Sequence, residues 1–320
     1  MTPEGMALTD LVFGAVKASS RKGKLFTEQQ IIDLVGSRDL KDLQNRIKER
    51  YPLLAAATPS LKGIEEGLIK SYKDEIDRFI KATPDLEPAL RMAQREVDEY
   101  RAIETLKSRV GIFATDSKGG ERRPLKEDAA QSALKGFERE VEEATEIYEK
   151  YKVPGLIDAV FARQRIRNLF STDAGMTKDV LEELGEYARL KADVFNISVL
   201  LRGIKNGIDR KALMEMVLPG GGISWKLLQE AAKQAEIKKA MTLLEVAGLP
   251  KTDSPRALER FYESRISKMM NRAYYDGYLG AGAIMGYLEL KYREIRNIMR
   301  IANAISLGID PKRAVQDFIF

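Results

Sequence analysis

A duplicated helix with its stop signal is the feature of this sequence that most constrains the fold. Residues 192–212 and 293–313 align at an offset of 101, with seven identities in 21 positions. Both segments carry apolar residues at alternating steps of four and three, which predicts an amphipathic helix facing a core. Gly207 and Gly308 follow these stripes, and glycine favours the left-handed position that ends a helix. The sequence therefore predicts duplicated helical subdomains.

Periodicity and turn signals predict an all-α chain of three similar helical subdomains. Apolar spacing typical of helices extends through most of the sequence, and the alternation typical of strands is almost absent. Two glycine-rich stretches, Thr115–Gly120 and Leu218–Ser224, each follow shortly after a helix of the repeat type. They divide the chain into predicted subdomains at 1–115, 116–218 and 219–320.

The duplication extends beyond a single helix. Phe161-x-x-x-Arg165 matches Phe261-x-x-x-Arg265 at an offset of 100, so two consecutive helices recur in the same order in the second and third subdomains. The first subdomain is more diverged, and Glu99 is its predicted counterpart of the acidic repeat position.

The amino-acid composition excludes several kinds of active site. The 320 residues include no cysteine and no histidine, which rules out disulfides, thiolate nucleophiles, Cys/His zinc sites and histidine-based triads. We predict no catalytic residue, no metal site and no cofactor. The net charge of +5 comes from interspersed basic and acidic side chains, which is typical of a solvated surface rather than a nucleic-acid footprint.

No part of the sequence is predicted to enter a membrane. The chain lacks a run of about 18 uncharged apolar residues. Its first 20 residues carry Glu4 and Asp10 instead of a basic start followed by a clean apolar stretch, so no signal peptide is expected.

Two glycine motifs invite a ligand-binding interpretation. Gly280, Gly282 and Gly286 approximate a dinucleotide fingerprint, but the spacing is one residue too long and no strand precedes them, which favours close helix packing. The run Gly220–Gly222 could hold an anion on its N–H groups, although a tight turn is the favoured interpretation.

An acidic residue and an asparagine three positions later recur in both repeat helices, as Asp193 with Asn196 and as Glu294 with Asn297. Polar pairs beside an apolar stripe suit either catalytic carboxylates or buried structural contacts. Because the pair occurs twice, the structural interpretation is favoured. The expected partners of the carboxylates are the arginines of the neighbouring duplicated helix, Arg165 and Arg265.

Lys291 interrupts the apolar stripe of the last long helix. It lies three residues before Glu294, so we expect either an apolar stem with an exposed head or a salt bridge to that carboxylate.

These segments resemble a known family, the C subunits of the archaeal and bacterial A/V-type rotary ATPases, whose eukaryotic counterpart is the d subunit of the V-ATPase. In the last repeat the resemblance is carried by Tyr287, Lys291, Glu294, Arg296, Asn297 and Gly308. In the middle repeat it is carried by Asp193, Asn196, Arg202 and Gly207. The turn that starts at Leu218 and the segment from Leu25 to Tyr51 are also similar, so the resemblance covers nearly the whole chain.

The resemblance implies a specific architecture and role. It implies an all-helical funnel of three pseudo-threefold subdomains with no active site, on the cytoplasmic face of the cell membrane as a peripheral component. The implied partners are the proteolipid rotor ring and the central shaft, which consists of the D and F subunits, with no nucleic acid and no small-molecule substrate. The implied function is torque transmission for proton or sodium transport, by a single copy per complex that is a monomer when isolated. The ion and the direction of ATP turnover stay open.

The alternative function is a helical-repeat adaptor for protein or RNA partners. Repeats of that class are about 30–50 residues long, whereas the offsets in this chain are 100 and 101. The interpretation as a rotor component is therefore favoured.

Overall fold

The fold is described from a computed structural model, which covers residues 3–112, 127–171, 178–245, 249–252, 254–276 and 280–318. All regular structure in these ranges is helical, which confirms the all-α prediction. The α-helices are α1 (Pro3–Lys22), α2 (Glu28–Leu34), α3 (Leu40–Ile47), α4 (Leu61–Ala82), α5 (Glu87–Arg109), α6 (Glu127–Leu134), α7 (Glu138–Tyr151), α8 (Gly155–Ser171), α9 (Lys178–Lys205), α10 (Arg210–Met216), α11 (Trp225–Ala232), α12 (Ile237–Glu245), α13 (Pro255–Asp276) and α14 (Ala281–Ser306). Short 3-10 helices cover Pro52–Ala56, Pro84–Leu86 and Pro311–Asp317.

The chain folds into two compact units. The first unit comprises residues 1–94, 175–183 and 267–320, and the second unit comprises residues 95–174 and 184–266. The threefold subdivision stays a prediction. Its first boundary, with the turn Thr115–Gly120, lies outside the described residues.

Helix α14 is the central element of the first unit. It packs against α1, α2, α3 and α4. Its predicted stripe supplies the contacts, since Ile284 and Ile298 are fully buried and Leu288 and Ile295 nearly so. Helix α1 comes close enough that a Cβ added to Gly14 would lie 2.8 Å from Ile284 Cδ1. Burial of these aliphatic side chains is the main stabilising contribution to this unit.

The second unit has its own hydrophobic core. Helices α7 and α8 pack against each other, and the Phe137 and Phe161 rings meet with centroids 5.8 Å apart. Ala102 from α5 and Phe195 from α9 belong to the same core cluster.

The two predicted stop signals have the same geometry. Gly207 and Gly308 take left-handed φ values of 64° and 65°. The next residue, Ile208 or Ile309, donates its N–H to the carbonyl five residues earlier at 2.9 Å in both cases, which satisfies a carbonyl at the helix end.

A third stop of this kind ends α5, where the sequence patterns above did not predict one. Gly111 has φ 80°, and the Ile112 N–H bonds the Lys107 carbonyl at 2.8 Å. Glu99 precedes its glycine by 12 residues, whereas Asp193 and Glu294 precede theirs by 14. Glu99 therefore occupies a different position relative to the stop.

Helical periodicity predicts one continuous helix over 126–151 and one over 224–247, and each is split in the structure. The predicted helix 126–151 is α6 and α7, because Gly136 adopts φ 85° between them. The predicted helix 224–247 is α11 and α12. The same periodicity predicts an α-helix over 311–319, but Pro311–Asp317 is a 3-10 helix capped by Asp310.

Candidate functional site

The buried acid of α14 connects the last long helix to the start of the chain. The Glu294 side chain is nearly inaccessible, and its carboxylate accepts the Phe26 backbone N–H and the Tyr51 hydroxyl, each at 2.5 Å. Lys291 donates to the same carboxylate at 2.9 Å, so the predicted i,i+3 salt bridge is confirmed. One side chain thus binds a turn, a phenol and a cation.

Tyr51 and Lys291 complete this cluster. Lys291 Nζ lies 3.9 Å from the centroid of the Tyr51 ring, which adds a cation–π contact. Burial first, and then the Glu294 carboxylate, raise the pKa of Tyr51 well above its usual range. The phenol therefore stays protonated at physiological pH and keeps donating to Glu294.

The buried acid of α9 has a different set of partners. The Asp193 carboxylate accepts the backbone N–H groups of Gly222 and Ile223, both at 3.0 Å. Burial raises the pKa of Asp193, although these two N–H donors act in the opposite direction. The carboxylate thus fixes the start of the segment that leads into α11.

The glycine run 220–222 is shaped around this carboxylate. A Cβ added to Gly221 would lie 2.2 Å from Asp193 Oδ1, which no side chain tolerates without a shift of the turn. The N–H of Gly222 is already bound to Asp193. The tight-turn interpretation is therefore supported, and the anion that this turn holds is a carboxylate of the same chain.

Asp193 and Glu294 bind equivalent backbone positions. Ile223 directly precedes Ser224, the N-cap of α11, and Phe26 directly precedes Thr27, the N-cap of α2. Each long-helix acid thus accepts the N–H of the residue just before an N-cap. We call this contact, made by an acid of one helix to the segment before the N-cap of another, the cap clamp; Glu294 forms one in the first unit and Asp193 forms one in the second.

The helices that follow the two cap clamps also correspond. Thr27 forms a capping box with Gln30, which the spacing Thr27-x-x-Gln30 predicts, and Ser224 caps α11 by accepting from Leu227. A second short helix, α3 or α12, follows each capped helix, beginning at Leu40 or Ile237. Both begin 13 residues after their cap, a correspondence that does not show as sequence identity.

The two asparagines of the repeat lie beside the clamps. Asn196 is fully buried, and its side-chain amide donates to the Leu218 carbonyl at 2.8 Å and accepts the Leu218 N–H at 2.7 Å. Asn297 is also buried, and its carbonyl accepts from Arg300 at 3.1 Å. Asn196 therefore fixes the same turn that Asp193 holds from its other end.

The expected carboxylate–arginine contacts occur only in part. Arg165 donates to Glu99 at 2.6 Å rather than to a carboxylate of the α9 repeat. Arg265 acts on Asp193 through its charge, while the turn N–H groups bind the two oxygens of that carboxylate. The hydrogen bonds of Asp193 therefore come from the backbone, and the expected arginine contributes through its charge.

The other residues singled out by the resemblance have structural contacts. Tyr287 donates to buried Glu75 at 3.0 Å, and burial followed by that carboxylate raises its pKa well above the usual range. The Arg296 guanidinium lies 5.9 Å from the Tyr292 ring centroid. Arg202 forms an exposed salt bridge with Glu259 at 2.9 Å.

The described ranges contain no cluster of three or more acidic side chains that could hold a metal ion. Among the same residues, no helix combines the length and the apolar character needed to cross a bilayer.

Fold and clamps together define an all-α protein in which two buried acids hold backbone segments in place. A family model described as ATP synthase (C/AC39) subunit matches residues 125–316, which is 192 of 320 residues. The chain belongs to this family, which confirms the resemblance seen in the sequence.

Several named proteins are similar to this chain over most of their length. The C subunit of the A-type ATP synthase from Pyrococcus furiosus is 23% identical over 321 residues, covering 91% of this chain and 85% of that protein. The protein of the same name from Methanosphaera stadtmanae is 21% identical and covers 95% of this chain and 86% of its own length. The one from Methanothermobacter thermautotrophicus is 20% identical, with coverage of 90% and 82%.

Proposed function

We propose that this chain is a non-catalytic component of an A-type ATP synthase. In this proposal it joins the central shaft, made of the D and F subunits, to the membrane ring of proteolipids. It transmits torque between ATP turnover in the soluble head and ion movement through the membrane. One copy serves each complex, as a peripheral component on the cytoplasmic face.

The observation that carries the proposal is the similarity over nearly full length to proteins named as the C subunit of an A-type ATP synthase. The contacts of the repeat acids point the same way. Asp193 and Glu294 are buried at 4% and 5% exposure and bind backbone and side-chain donors of their own chain. A buried carboxylate with such partners is suited to holding a scaffold rather than to reaching a substrate.

The cap clamps suit a part that carries torque. Such a part must be rigid, because deformation between its two attachment surfaces would reduce the rotation that is transmitted from one partner to the other. A clamp adds stiffness where it joins segments far apart in the chain, and Glu294 lies 268 residues from Phe26. The helical-repeat adaptor remains the weaker alternative, because its repeats would be shorter than those found here.

The test compares two activities that the proposed rotor component would couple. The ATP synthase complex is reconstituted into vesicles with and without this chain, and ATP hydrolysis and ion uptake are measured in parallel. We expect hydrolysis by the head to persist without the chain and ion uptake to be lost, with recovery when the chain is added back. Ion uptake that continues undiminished without the chain would overturn the proposal.

Two further experiments test separately whether the isolated chain is catalytic and whether the Glu294 clamp is needed for coupling. The isolated chain is expected to hydrolyse no nucleotide at all, and activity that co-purifies with the chain through every step would contradict the non-catalytic assignment. A complex carrying Glu294→Ala should keep ATP hydrolysis with reduced ion uptake. A complex carrying Glu49→Ala, a change at an exposed glutamate in the same unit, should match the wild type.

A further inference from the structure

A buried acid in the second unit stands apart from the two clamp acids. Glu99 on α5 is 2% exposed, and its Oε2 accepts from Arg165 Nη1 at 2.6 Å. Its other oxygen, Oε1, is buried without a hydrogen-bond partner in the described part of the protein. By contrast, both oxygens of Asp193 and both of Glu294 accept hydrogen bonds.

The charges around Glu99 leave it as the surplus negative group. Arg95 and Glu96 face it from its own helix, Glu140 faces it from α7, and Arg165 faces it from α8. Arg95 binds Glu140 at 2.5 Å, and Arg165 lies 3.6 Å from Glu96 while also binding Glu99. Among the groups named here, two guanidiniums therefore face three carboxylates. A third buried carboxylate is costly as an anion and much less so as a neutral acid.

We propose that Glu99 is a proton-binding site within the second unit, and that the bound proton neutralises the surplus negative charge of this cluster. In the protonated state Oε1 carries the proton, and an uncharged oxygen costs less free energy to bury without a partner than an anionic one. The other oxygen, Oε2, still accepts from Arg165. Release of the proton leaves three carboxylates facing two guanidiniums. The ligand is the proton itself, and the proposal does not depend on the role of the chain in a larger complex.

The electrostatics of the site agree with this assignment. Burial raises the pKa of Glu99 to about 7, with the Glu96 and Glu140 carboxylates adding to the rise and Arg165 and Arg95 opposing it. A carboxyl whose pKa is higher in the folded than in the unfolded chain binds more protons when folded. Folding is therefore favoured at low pH, and this contribution is lost as the pH rises from the unfolded value towards and through about 7.

The test compares the pH dependence of unfolding for wild type and Glu99→Gln. Glutamine keeps the shape and an acceptor for Arg165 but cannot ionise. Between about pH 5 and pH 8, the folding equilibrium constant of the variant relative to wild type should rise on the order of 100-fold. A ratio that stays constant over this range would overturn the proposal.

Neighbouring substitutions give opposite shifts that a purely structural role would not produce. Glu140→Gln removes a like charge and should move the transition of Glu99 to lower pH. Arg165→Gln removes the opposing charge and should move it to higher pH. Shifts in the same direction, or no shift in either variant, would contradict the proposed site.

A direct measurement on the wild-type protein covers the case in which Glu99→Gln does not fold. Carbon NMR of protein with isotopically labelled glutamate side chains should show one carboxyl that titrates near neutral pH, well above the others. The signal is assigned by its shift in Glu140→Gln. A spectrum in which every glutamate titrates in the ordinary acidic range would sink the proposal.

Discussion

The cap clamps of the two compact units occupy the same place in the repeat but use different chemistry. In the first unit, Glu294 binds one backbone N–H, a buried phenol and a buried ammonium group. In the second unit, Asp193 binds two backbone N–H groups, and no cation of the described residues lies within hydrogen-bond distance of it. The repeated feature is therefore the position that the carboxylate holds, rather than the set of partners that satisfies it.

The backbone segments that the two clamps bind differ in composition. At Asp193 the turn carries Gly221, and the backbone approaches so closely that a Cβ there would overlap the carboxylate. At Glu294 the corresponding segment carries Leu25 and Phe26, and the longer glutamate accepts the Phe26 N–H at 2.5 Å. Side-chain length and turn composition thus change together between the two clamps.

Loss of the Glu294 carboxylate should have the largest effect on stability. Glu294→Ala leaves the buried ammonium of Lys291 without a counter-ion and two donors without an acceptor. We expect a decrease of about 3–5 kcal/mol in the free energy of unfolding, the range for breaking a buried ion pair from one side. Chemical denaturation of the variant and the wild type measures this decrease. Glu49→Ala, at an exposed site in the same unit, should change it little, and an equal loss in both would remove any special role for the clamp.

Loss of the Asp193 carboxylate should lower the free energy of unfolding less than loss of the Glu294 carboxylate. Asp193→Ala leaves two backbone N–H groups unpaired and no buried cation, so we expect a decrease of about 2–3 kcal/mol. An equal decrease in the free energy of unfolding for Asp193→Ala and Glu294→Ala would contradict the proposed difference between the two clamps. Denaturation curves of both variants, recorded under one condition, decide this.

Gly221→Ala tests whether the turn at Gly221 lies in close contact with the Asp193 carboxylate. The added methyl would overlap Asp193 Oδ1, so the turn must move away, at a cost of about 1–3 kcal/mol. In the background of Asp193→Ala the space is vacated, and the same substitution should cost much less. Additive effects of the two changes would show that the methyl group and the carboxylate do not meet.

The smallest effect is expected at the exposed salt bridge of Arg202. Its side chain is 67% exposed, so Arg202→Gln should change the free energy of unfolding by about 0–1 kcal/mol. Any change should shrink further in high salt, because screening weakens exposed pairs. A loss as large as that of Asp193→Ala would place this arginine among the structural contacts instead.

Helical periodicity and glycine stops were sufficient to predict much of this fold from sequence. The stripe of α14, the two Gly-Ile stops and the capping box at Thr27 are local features, set by residues within a few positions of one another. The Lys291–Glu294 bridge was predictable for the same reason. The third stop at Gly111-Ile112 is equally local, but the dipeptide alone does not identify it, because Gly63-Ile64 and Gly203-Ile204 lie inside helices.

The partners of the clamp acids could not be predicted in this way. Phe26 and Tyr51 lie 268 and 243 residues from Glu294, and nothing in the local sequence indicates that they meet it. At Asp193 the competing donors were backbone N–H groups, which every residue but proline supplies and which leave no signature in side-chain identity. The donors that bind Asp193 are therefore ones that sequence patterns do not show, although Arg265 acts on it through its charge.

Amide hydrogen exchange at Phe26 and Ile223 tests the central claim most directly, because these N–H groups are the ones that the clamps bind. In the wild type both amides should be protected well beyond the exposed turn residues around them. Glu294→Ala should release Phe26 and leave Ile223 protected, and Asp193→Ala should do the reverse. Exchange at Phe26 and Ile223 that is as fast as in their neighbours, or that does not respond to the matching substitution, would contradict the cap clamp.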